Sequence, residues 1–195
     1  MSRSFVGFAV VLLCAIAAIS HLSPSWAGTI IPTAFVWIPC LLVHTNRSTH
    51  RIMGLESPTR AKDGPALTLG CASVGLYAVT MWWYTDGRSL PSPWLLGTVF
   101  IHQCLIVALP EELFFRGYIQ GTLDHASPRR PRVSLVLAAL LFALAHGVAD
   151  GDPTRLITFA PGLLFGYLRF LTGRIWTPVI IHALANTAHH VLPLM

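Results

Sequence analysis

The stretch Pro-Glu-Glu-Leu-Phe-Phe-Arg-Gly at residues 110–117 decides how this chain folds. It follows an almost uncharged run at 94–109, so three ionisable side chains stand where hydrocarbon is expected. Charges inside apolar helices are rarely tolerated without a role. On a helix, Glu112 and Arg116 lie four residues apart and can neutralise each other, whereas Glu111 is turned about 100° away from Glu112. The pattern therefore predicts one structural ion pair and one remaining carboxylate, that of Glu111, which is the candidate for chemistry.

The composition is that of a membrane protein. Of the 195 residues, 54% are hydrophobic and 11% are charged, against about 25% charged in soluble domains. Long apolar runs without period-two alternation predict an all-α, polytopic transmembrane helical bundle rather than a β-barrel. The net charge of +5 is spread over short loops and does not indicate a nucleic-acid partner. The cysteines lie inside apolar runs without Cys-x-x-Cys spacing, which predicts small buried residues, no disulfide and no thiolate metal site: Cys14, Cys40, Cys71 and Cys104.

Seven apolar runs predict about seven spans. They fall at about 5–20, 28–43, 66–84, 94–123, 133–149, 156–170 and 175–192. The first run is also compatible with a signal peptide, because Ser25-Trp26-Ala27 resembles a cleavage site. We treat 1–195 as a single transmembrane domain, with accessory N-terminal spans at 1–93 and a catalytic core at 94–192. The sixth run carries the Gly-x-x-x-Gly spacing at 162–166, which lets helices approach closely.

Basic residues in the predicted loops set the orientation. With seven spans, most of them share one side, and only Arg88 and Arg155 fall on the other. Because cytoplasmic loops carry the excess of Lys and Arg, the N-terminus is predicted in the cytoplasm and the C-terminus outside the cell (inner) membrane. The residues on the cytoplasmic side are Arg3, Arg47, Arg51, Arg60, Lys62, Arg129, Arg130, Arg132, Arg169 and Arg174.

Four polar side chains from three of these helices reach a common depth. At about 1.5 Å per residue, Glu111 and His146 each lie roughly 20 Å from the inner ends of their helices. Asn186 lies about 18 Å from that boundary, and His182 is one turn shallower on the same face. Taken singly, His146 or Asn186 could be an interhelical hydrogen bond, but four groups at one depth indicate a functional site. His102, nine residues before Glu111, falls on the opposite face by the 3.6-residue period.

These residue types suggest hydrolysis by an activated water. A carboxylate in an apolar site, helped by a neutral imidazole, can take a proton from water as a general base. A His–Asn pair supplies hydrogen-bond donors for the oxyanion of a tetrahedral intermediate. No serine, threonine or cysteine is a convincing nucleophile, because Ser134 and Thr187 have no base at an evident spacing.

Three motifs follow one another in the second half of the chain: Glu111-Glu112-x-x-x-Arg116, Phe142-x-x-x-His146 and His182-x-x-x-Asn186. In this order they resemble the signature motifs of the type II CAAX prenyl protease and bacteriocin-processing family of intramembrane proteases, and the match covers about residues 94–190. The resemblance implies that Glu111 activates the water together with His146. It implies likewise that His182 and Asn186 form the oxyanion hole.

The same resemblance implies supporting residues and a kind of substrate. Glu112, Arg116 and Phe142 would hold the site together, as the helical spacing of the ion pair already suggests. Family members cut prenylated C-termini, leader peptides or C-terminal sorting tags. The expected substrate is therefore a membrane-anchored or lipidated protein or peptide, which would enter from the lipid bilayer between the helices.

Metal dependence is a separate question, because members of this family have been interpreted both as zinc proteases and as glutamic proteases. The zinc alternative would use Glu111, His146 and His182 as ligands. The sequence favours a metal-free reaction, because it lacks His-Glu-x-x-His and places the Arg116 cation beside these groups. Zinc-binding histidines are also usually held by acceptors, and Glu112 is expected to be committed to Arg116. We therefore predict no cofactor.

Two other classes of function use the same residues. A non-catalytic membrane scaffold or immunity protein could carry this polar core. A proton-coupled transporter would also place Glu and His inside the membrane, but the sequence shows no repeats or paired broken helices, which are typical of transporters. A proteolysis assay separates the enzyme from both.

Overall fold

The computed structural model of the protein describes residues 3–22, 24–44, 52–55, 63–84 and 92–192. Within these ranges the chain is helical and contains no strand, which confirms the all-α prediction. Five of the basic residues used to predict the orientation lie outside the described ranges: Arg47, Arg51, Arg60, Lys62 and Arg88. The helices are α1 (Arg3–Leu22), α2 (Pro24–His44), α3 (Asp63–Tyr84), α4 (Pro93–Ala126), α5 (Pro131–Asp150), α6 (Phe159–Thr172) and α7 (Trp176–Val191).

The helices have the lengths and composition of a membrane bundle. In the described part of the chain, α3, α4 and α5 are long and apolar enough to cross a membrane. Shorter apolar helical stretches lie at Phe8–Leu22 and Ser25–Leu41. The second of these continues through Pro32 and Pro39 as part of α2. The chain is thus a helical membrane protein, as its composition predicts.

The sixth helix begins later than the apolar run predicts. Residues Pro153–Thr158 form a 3₁₀ helix, so α6 starts at Phe159 rather than near Leu156. The Asp152 carboxylate accepts hydrogen bonds from the hydroxyl of Thr154 at 2.7 Å and from its backbone N–H at 2.9 Å. These bonds cap the 3₁₀ helix and hold the pKa of Asp152 below its usual range. A local cap therefore replaces one turn of the predicted span.

The longest helix, α4, changes its winding twice. Two π-helical segments, Gln103–Ala108 and Leu113–Gln120, lie on either side of the Glu111–Glu112 pair. Just after the first segment, the backbone N–H of Leu109 donates to the carbonyl of Cys104, five residues earlier. An i→i+5 turn holds about one residue more than an α-turn, and such turns are frequent at functional sites. Side chains before the segment are therefore rotated relative to a regular α-helix.

The two halves of α4 have different neighbours. Residues 93–108 pack on α7, whereas residues 109–126 pack mainly on α2, α5 and α6. In the second half, Phe114 stacks on Phe35 of α2 with ring centroids 4.6 Å apart. Phe115 meets Phe142 of α5 edge to face at 5.2 Å. Since lipid is as apolar as a protein core, such close packing is what holds membrane helices together, and the N-terminal helices take part in it.

Glycines bring α6 against α5, as the Gly-x-x-x-Gly spacing predicts. A Cβ on Gly162 would lie 3.3 Å from Cδ1 of Phe142, and one on Gly166 would lie 3.1 Å from Cγ of Leu135. Both contacts are tighter than ordinary van der Waals contact. The absence of a side chain at these two positions therefore sets the distance between the helices.

A hydrogen bond and an ion pair tie the N-terminal half of the chain to the end of α6 and the start of α7. Arg169 is buried in α6, and its Nη2 donates to the carbonyl of Ile52 at 2.6 Å. Arg174, just before α7, forms an ion pair with Asp63 at the start of α3. The short segment 52–55 is thus fastened to α6, and α3 is fastened to the start of α7, the helix that carries the third motif.

Apolar and sulphur-containing side chains face outward over much of the bundle. Trp83 is 82% exposed. Cys14, Cys40 and Cys71 are also exposed, and Cys104 is half-buried. The prediction that the cysteines are buried is therefore wrong for three of them. The reason is that lipid tails give no driving force to hide small apolar groups inside a membrane bundle.

Candidate active site

The ion pair predicted within the first motif is present and fully enclosed. Nη1 of Arg116 lies 2.9 Å from Oε1 of Glu112, and both side chains are 0% exposed. Nη2 of Arg116 donates to the carbonyl of Gly162 at 3.1 Å. The guanidinium carbon lies 4.3 Å from the centre of the Phe142 ring, a cation–π contact. The Arg116 charge is thus held by a carboxylate, a carbonyl and an aromatic face.

The same carboxylate also holds His182. Nδ1 of His182 lies 2.8 Å from Oε1 of Glu112, and the ring is stacked on Phe165 with centroids 4.6 Å apart. The expectation that Glu112 is committed to Arg116 alone is therefore wrong. A carboxylate oxygen can accept from more than one donor, and here Oε1 of Glu112 accepts from Arg116 of α4 and from His182 of α7.

His146 is oriented by its own helix. Its Nδ1 lies 3.0 Å from the carbonyl of Phe142, one turn earlier in α5. Because a carbonyl oxygen only accepts, Nδ1 carries the hydrogen in this contact. In the neutral ring Nε2 is then an acceptor, and it lies 3.9 Å from Oε2 of Glu111. The His146 side chain is 30% exposed, so this side of the site is accessible from outside the bundle.

Glu111 is the group on which the two histidines converge. Its Oε2 lies 3.8 Å from Nε2 of His182 and 3.9 Å from Nε2 of His146. This oxygen is buried and has no hydrogen-bond partner among the described residues. The carboxylate left over by the ion pair thus faces two imidazoles, whereas Oε1 of the adjacent Glu112 is bonded to both Arg116 and His182.

Asn186 contacts a different residue. Its Nδ2 donates to Oε1 of Gln103 at 3.2 Å, and its side chain is half-buried on α7, one turn after His182. The structure therefore brings Glu111, His146 and His182 together at one place. It sets Asn186 beside them, on the same helix as His182, with its amide held by α4.

Three contributors were missed from the sequence. Gln103 holds the Asn186 amide, the ring of Phe165 supports His182, and the Gly162 carbonyl accepts from Arg116. Gln103 did give a signal, because it is a lone amide in an otherwise apolar run. An aromatic residue in an apolar helix and a backbone carbonyl give none.

The donor set can be compared with that of a zinc site. Two histidines and a glutamate are the ligands of some catalytic zinc sites, and both imidazoles have Nδ1 held by an acceptor, as metal-ligating histidines usually do. In the described part of the chain, however, no group of three or more His, Cys, Asp or Glu side chains is placed to hold a metal ion. The two histidines and the glutamate are therefore suitable zinc ligands by type, but their side chains are not placed to bind one ion together.

Comparisons with known proteins point to a family. Residues 92–188 match the family model described as "Type II CAAX prenyl endopeptidase Rce1-like". A curated relative from Bacillus subtilis (strain 168), named "Putative membrane peptidase YdiL", is 28% identical over 90 residues. That alignment covers 46% of this chain and 34% of the relative, so the chain spans about a third of the protein it matches. No solved structure matches. The matched segment contains all three motifs, and through it the chain belongs to the Rce1-like family of type II CAAX prenyl endopeptidases.

Proposed function

We propose that this protein is an intramembrane endopeptidase that hydrolyses a peptide bond of a membrane-associated substrate, with Glu111 as the general base. The observation that carries the proposal is the unpaired, buried Oε2 of Glu111 between the Nε2 atoms of His146 and His182. Membership of a peptidase family supports the class of reaction.

The hydrogen-bond pattern of the site favours a bound water. Both histidines use Nδ1 in contacts with acceptors, so their Nε2 atoms are acceptors when the rings are neutral. Three acceptors, these two nitrogens and Oε2 of Glu111, then face one another without a donor. A water molecule supplies two O–H donors. A water placed there would already be polarised by the base that takes its proton.

The reaction follows from this arrangement. Glu111 takes a proton from the water while the oxygen adds to the scissile carbonyl, which gives a tetrahedral oxyanion. Asn186 supplies one N–H for the oxyanion. His182 supplies another once its Nε2 has taken that proton from Glu111, while its Nδ1 donates to Glu112. The proton then passes to the leaving nitrogen, directly or through His146, and the C–N bond breaks to a carboxylic acid and an amine.

We propose a metal-free reaction, with zinc as the alternative. The support is charge: the Arg116 guanidinium shares the Glu112 carboxylate that contacts His182, and a divalent cation nearby would be repelled. A zinc ion held by Glu111, His146 and His182 would instead polarise the carbonyl as a Lewis acid. Elemental analysis of the active protein decides between them, since zinc that is stoichiometric and whose removal and return abolish and restore cleavage overturns the metal-free form.

The substrate class proposed is a lipidated or membrane-anchored peptide that reaches the site from the bilayer, in the cell (inner) membrane, with the N-terminus inside and the C-terminus outside. Two single-cysteine variants in a cysteine-free background, Ser127→Cys and Thr154→Cys, test the orientation because both positions are exposed at opposite ends of α5. In intact cells a membrane-impermeant maleimide should label Thr154→Cys and not Ser127→Cys. The reverse labelling contradicts the orientation.

The enzyme proposal is tested with the full chain in liposomes and three internally quenched probes: a farnesylated C-terminal peptide, a leader peptide and a membrane-anchored sorting tag. Wild type should cleave at least one of them. Glu111→Gln should lower turnover by about 10²–10⁴-fold, the usual contribution of general acid–base catalysis. Asp150→Asn, which removes a carboxylate from an exposed ion pair with Arg155, is the control and should keep wild-type turnover. Cleavage of none of the probes, or full turnover by Glu111→Gln, contradicts the proposal.

A further inference from the structure

Gln103 is a buried polar residue that the three motifs do not account for. It is 5% exposed in α4, near Ile101 and Leu105, which are 59% and 55% exposed. An amide buried in an apolar helix is destabilising unless it has a hydrogen-bond partner. A residue of this kind in the middle of an apolar run therefore marks a specific contact.

The partner is Asn186. The Asn186 Nδ2 donates to Oε1 of Gln103 at 3.2 Å, and Asn186 follows His182 by one turn on α7. The contact of Glu112 with His182 joins the same two helices. Two polar contacts thus connect α4 with the face of α7 that carries the third motif, and Gln103 makes one of them.

The winding of α4 is what turns Gln103 towards the site. In a regular α-helix, eight residues from Gln103 to Glu111 turn through about 800°, which leaves the two side chains about 80° apart. The π-helical segment Gln103–Ala108 takes up about one extra residue. Eight residues then turn like about seven, or 700°, so the two side chains lie about 20° apart. The π-helical segment thereby brings Gln103 onto the face of Glu111.

We propose that Gln103 is a positioning residue for the amide of Asn186, an inference that rests on the function proposed above. The Asn186 side chain has two N–H groups and one carbonyl. Donation of one N–H to Gln103 fixes the plane of the amide, whose terminal torsion is otherwise broad. The second N–H is then held ready for the oxyanion. Such alignment matters, since a displacement of about 1 Å in a reacting group can cost about 10² in rate.

The experiment uses the full chain in liposomes with whichever of the three probes wild type cleaves. Gln103→Leu removes the acceptor at similar volume, and it should lower kcat about five- to tenfold, the worth of one hydrogen bond, with KM unchanged. Gln103→Glu keeps an oxygen acceptor at the same place and should recover most of the lost rate. Unchanged kcat in Gln103→Leu overturns the proposal.

A double-mutant cycle with Asn186→Ala separates positioning from simple packing. If Gln103 acts through Asn186, Gln103→Leu should cause no further loss of kcat once Asn186 is replaced by Ala. A loss of equal factor in both backgrounds shows that Gln103 acts independently, and it overturns the proposal. Should Gln103→Leu fail to fold, Gln103→Asn, which withdraws the acceptor by one methylene, takes its place in the cycle and is read in the same way.

The results also distinguish a failure of the Gln103 inference from a failure of the proposed peptidase function. If Glu111→Gln cleaves at the wild-type rate, the proposed function fails and the role of Gln103 with it. If Glu111→Gln is inactive and Asn186→Ala is slow while the Gln103 variants match wild type, only the inference about Gln103 fails.

Discussion

The two halves of α4 belong to one helix but differ in which side chains they expose and bury. In the first half, residues 93–108, Leu105 and Ile106 are 55% and 50% exposed. In the second half, residues 109–126, Glu112, Arg116 and Gln120 are each 0% exposed. The first half thus exposes large apolar side chains where it packs on one helix, and the second half buries charged and amide side chains as well as Phe114 and Phe115 where it packs on several helices.

The difference teaches how this bundle is held together. Polar residues recur every fourth position in the second half, and three of them bond to α6: Arg116 to the Gly162 carbonyl, Gln120 to the Gly166 carbonyl at 3.1 Å, and Asp124 to Arg169 at 3.8 Å. Lipid gives no hydrophobic force between helices, so hydrogen bonds and close packing must specify the contact. A polar stripe in such a helix therefore indicates its buried face.

The largest loss of stability is expected when the ion pair of Glu112 and Arg116 is broken. Glu112→Gln leaves the buried Arg116 charge without a counter-charge and should lower the free energy of unfolding by about 3–5 kcal/mol, as breaking buried ion pairs usually does. SDS titration in mixed micelles measures the change. The adjacent Glu111→Gln is the matched control, since its Oε2 has no hydrogen-bond partner among the described residues, and it should unfold like wild type. Equal destabilisation by both variants contradicts the division of roles between the two acids.

Much of this pattern could be predicted from the sequence. The four-residue spacing of Glu112 and Arg116 predicts their ion pair, and that pair is confirmed at 2.9 Å. Distance from the helix ends predicts one depth for Glu111, His146 and Asn186, with His182 one turn shallower. In the structure Nε2 of each histidine lies within 3.9 Å of Oε2 of Glu111, whereas the Asn186 amide is bonded to Gln103. Both predictions depend mainly on the helical rise per residue.

What could not be predicted depends on winding and on partners. The 3.6-residue count puts His102 opposite Glu111, but the π-helical segment between them adds about one residue to the turn, so the count does not hold there. Likewise Glu112 accepts from His182, seventy residues away, and no local spacing reveals such a contact. Sharing of one carboxylate by two donors becomes visible only when the helices are assembled.

A smaller loss of stability is expected from replacing leucines, and it should differ between the two halves of α4. Leu113, 7% exposed, lies in the second half, and Leu105, 55% exposed, lies in the first. Leu113→Ala leaves a cavity and should lower the free energy of unfolding by about 2–3 kcal/mol, at the low end for core leucines, because lipid tails solvate a leucine as well as the core does. Leu105→Ala should stay within about 0.5 kcal/mol of wild type, as exposed positions usually do. Both are measured by the same SDS titration, and similar losses would show that the two halves are packed alike.

The smallest effect expected comes from a pair of glycines, Gly121 in the second half of α4 and Gly97 in the first. A Cβ on Gly121 would lie 2.4 Å from the carbonyl oxygen of Ile52 and 2.9 Å from Nη2 of Arg169. A Cβ on Gly97 meets nothing within 4 Å. Gly121→Ala should therefore lower the free energy of unfolding by about 1–2 kcal/mol, within the range for overpacked sites, because the backbone carbonyl of Ile52, which accepts from Arg169, has to move.

Gly97→Ala should change stability in the opposite direction. Alanine loses less backbone entropy than glycine when a helix forms, so the variant should gain about 0.5–1 kcal/mol. The opposite signs make the comparison independent of any general effect of alanine on helices. If both variants are stabilised, the carbonyl of Ile52 does not contact α4 at Gly121, and the close packing of 52–55 on the second half is contradicted. If both are destabilised, the first half of α4 has a close neighbour on its Gly97 face, and the contrast between the halves is lost.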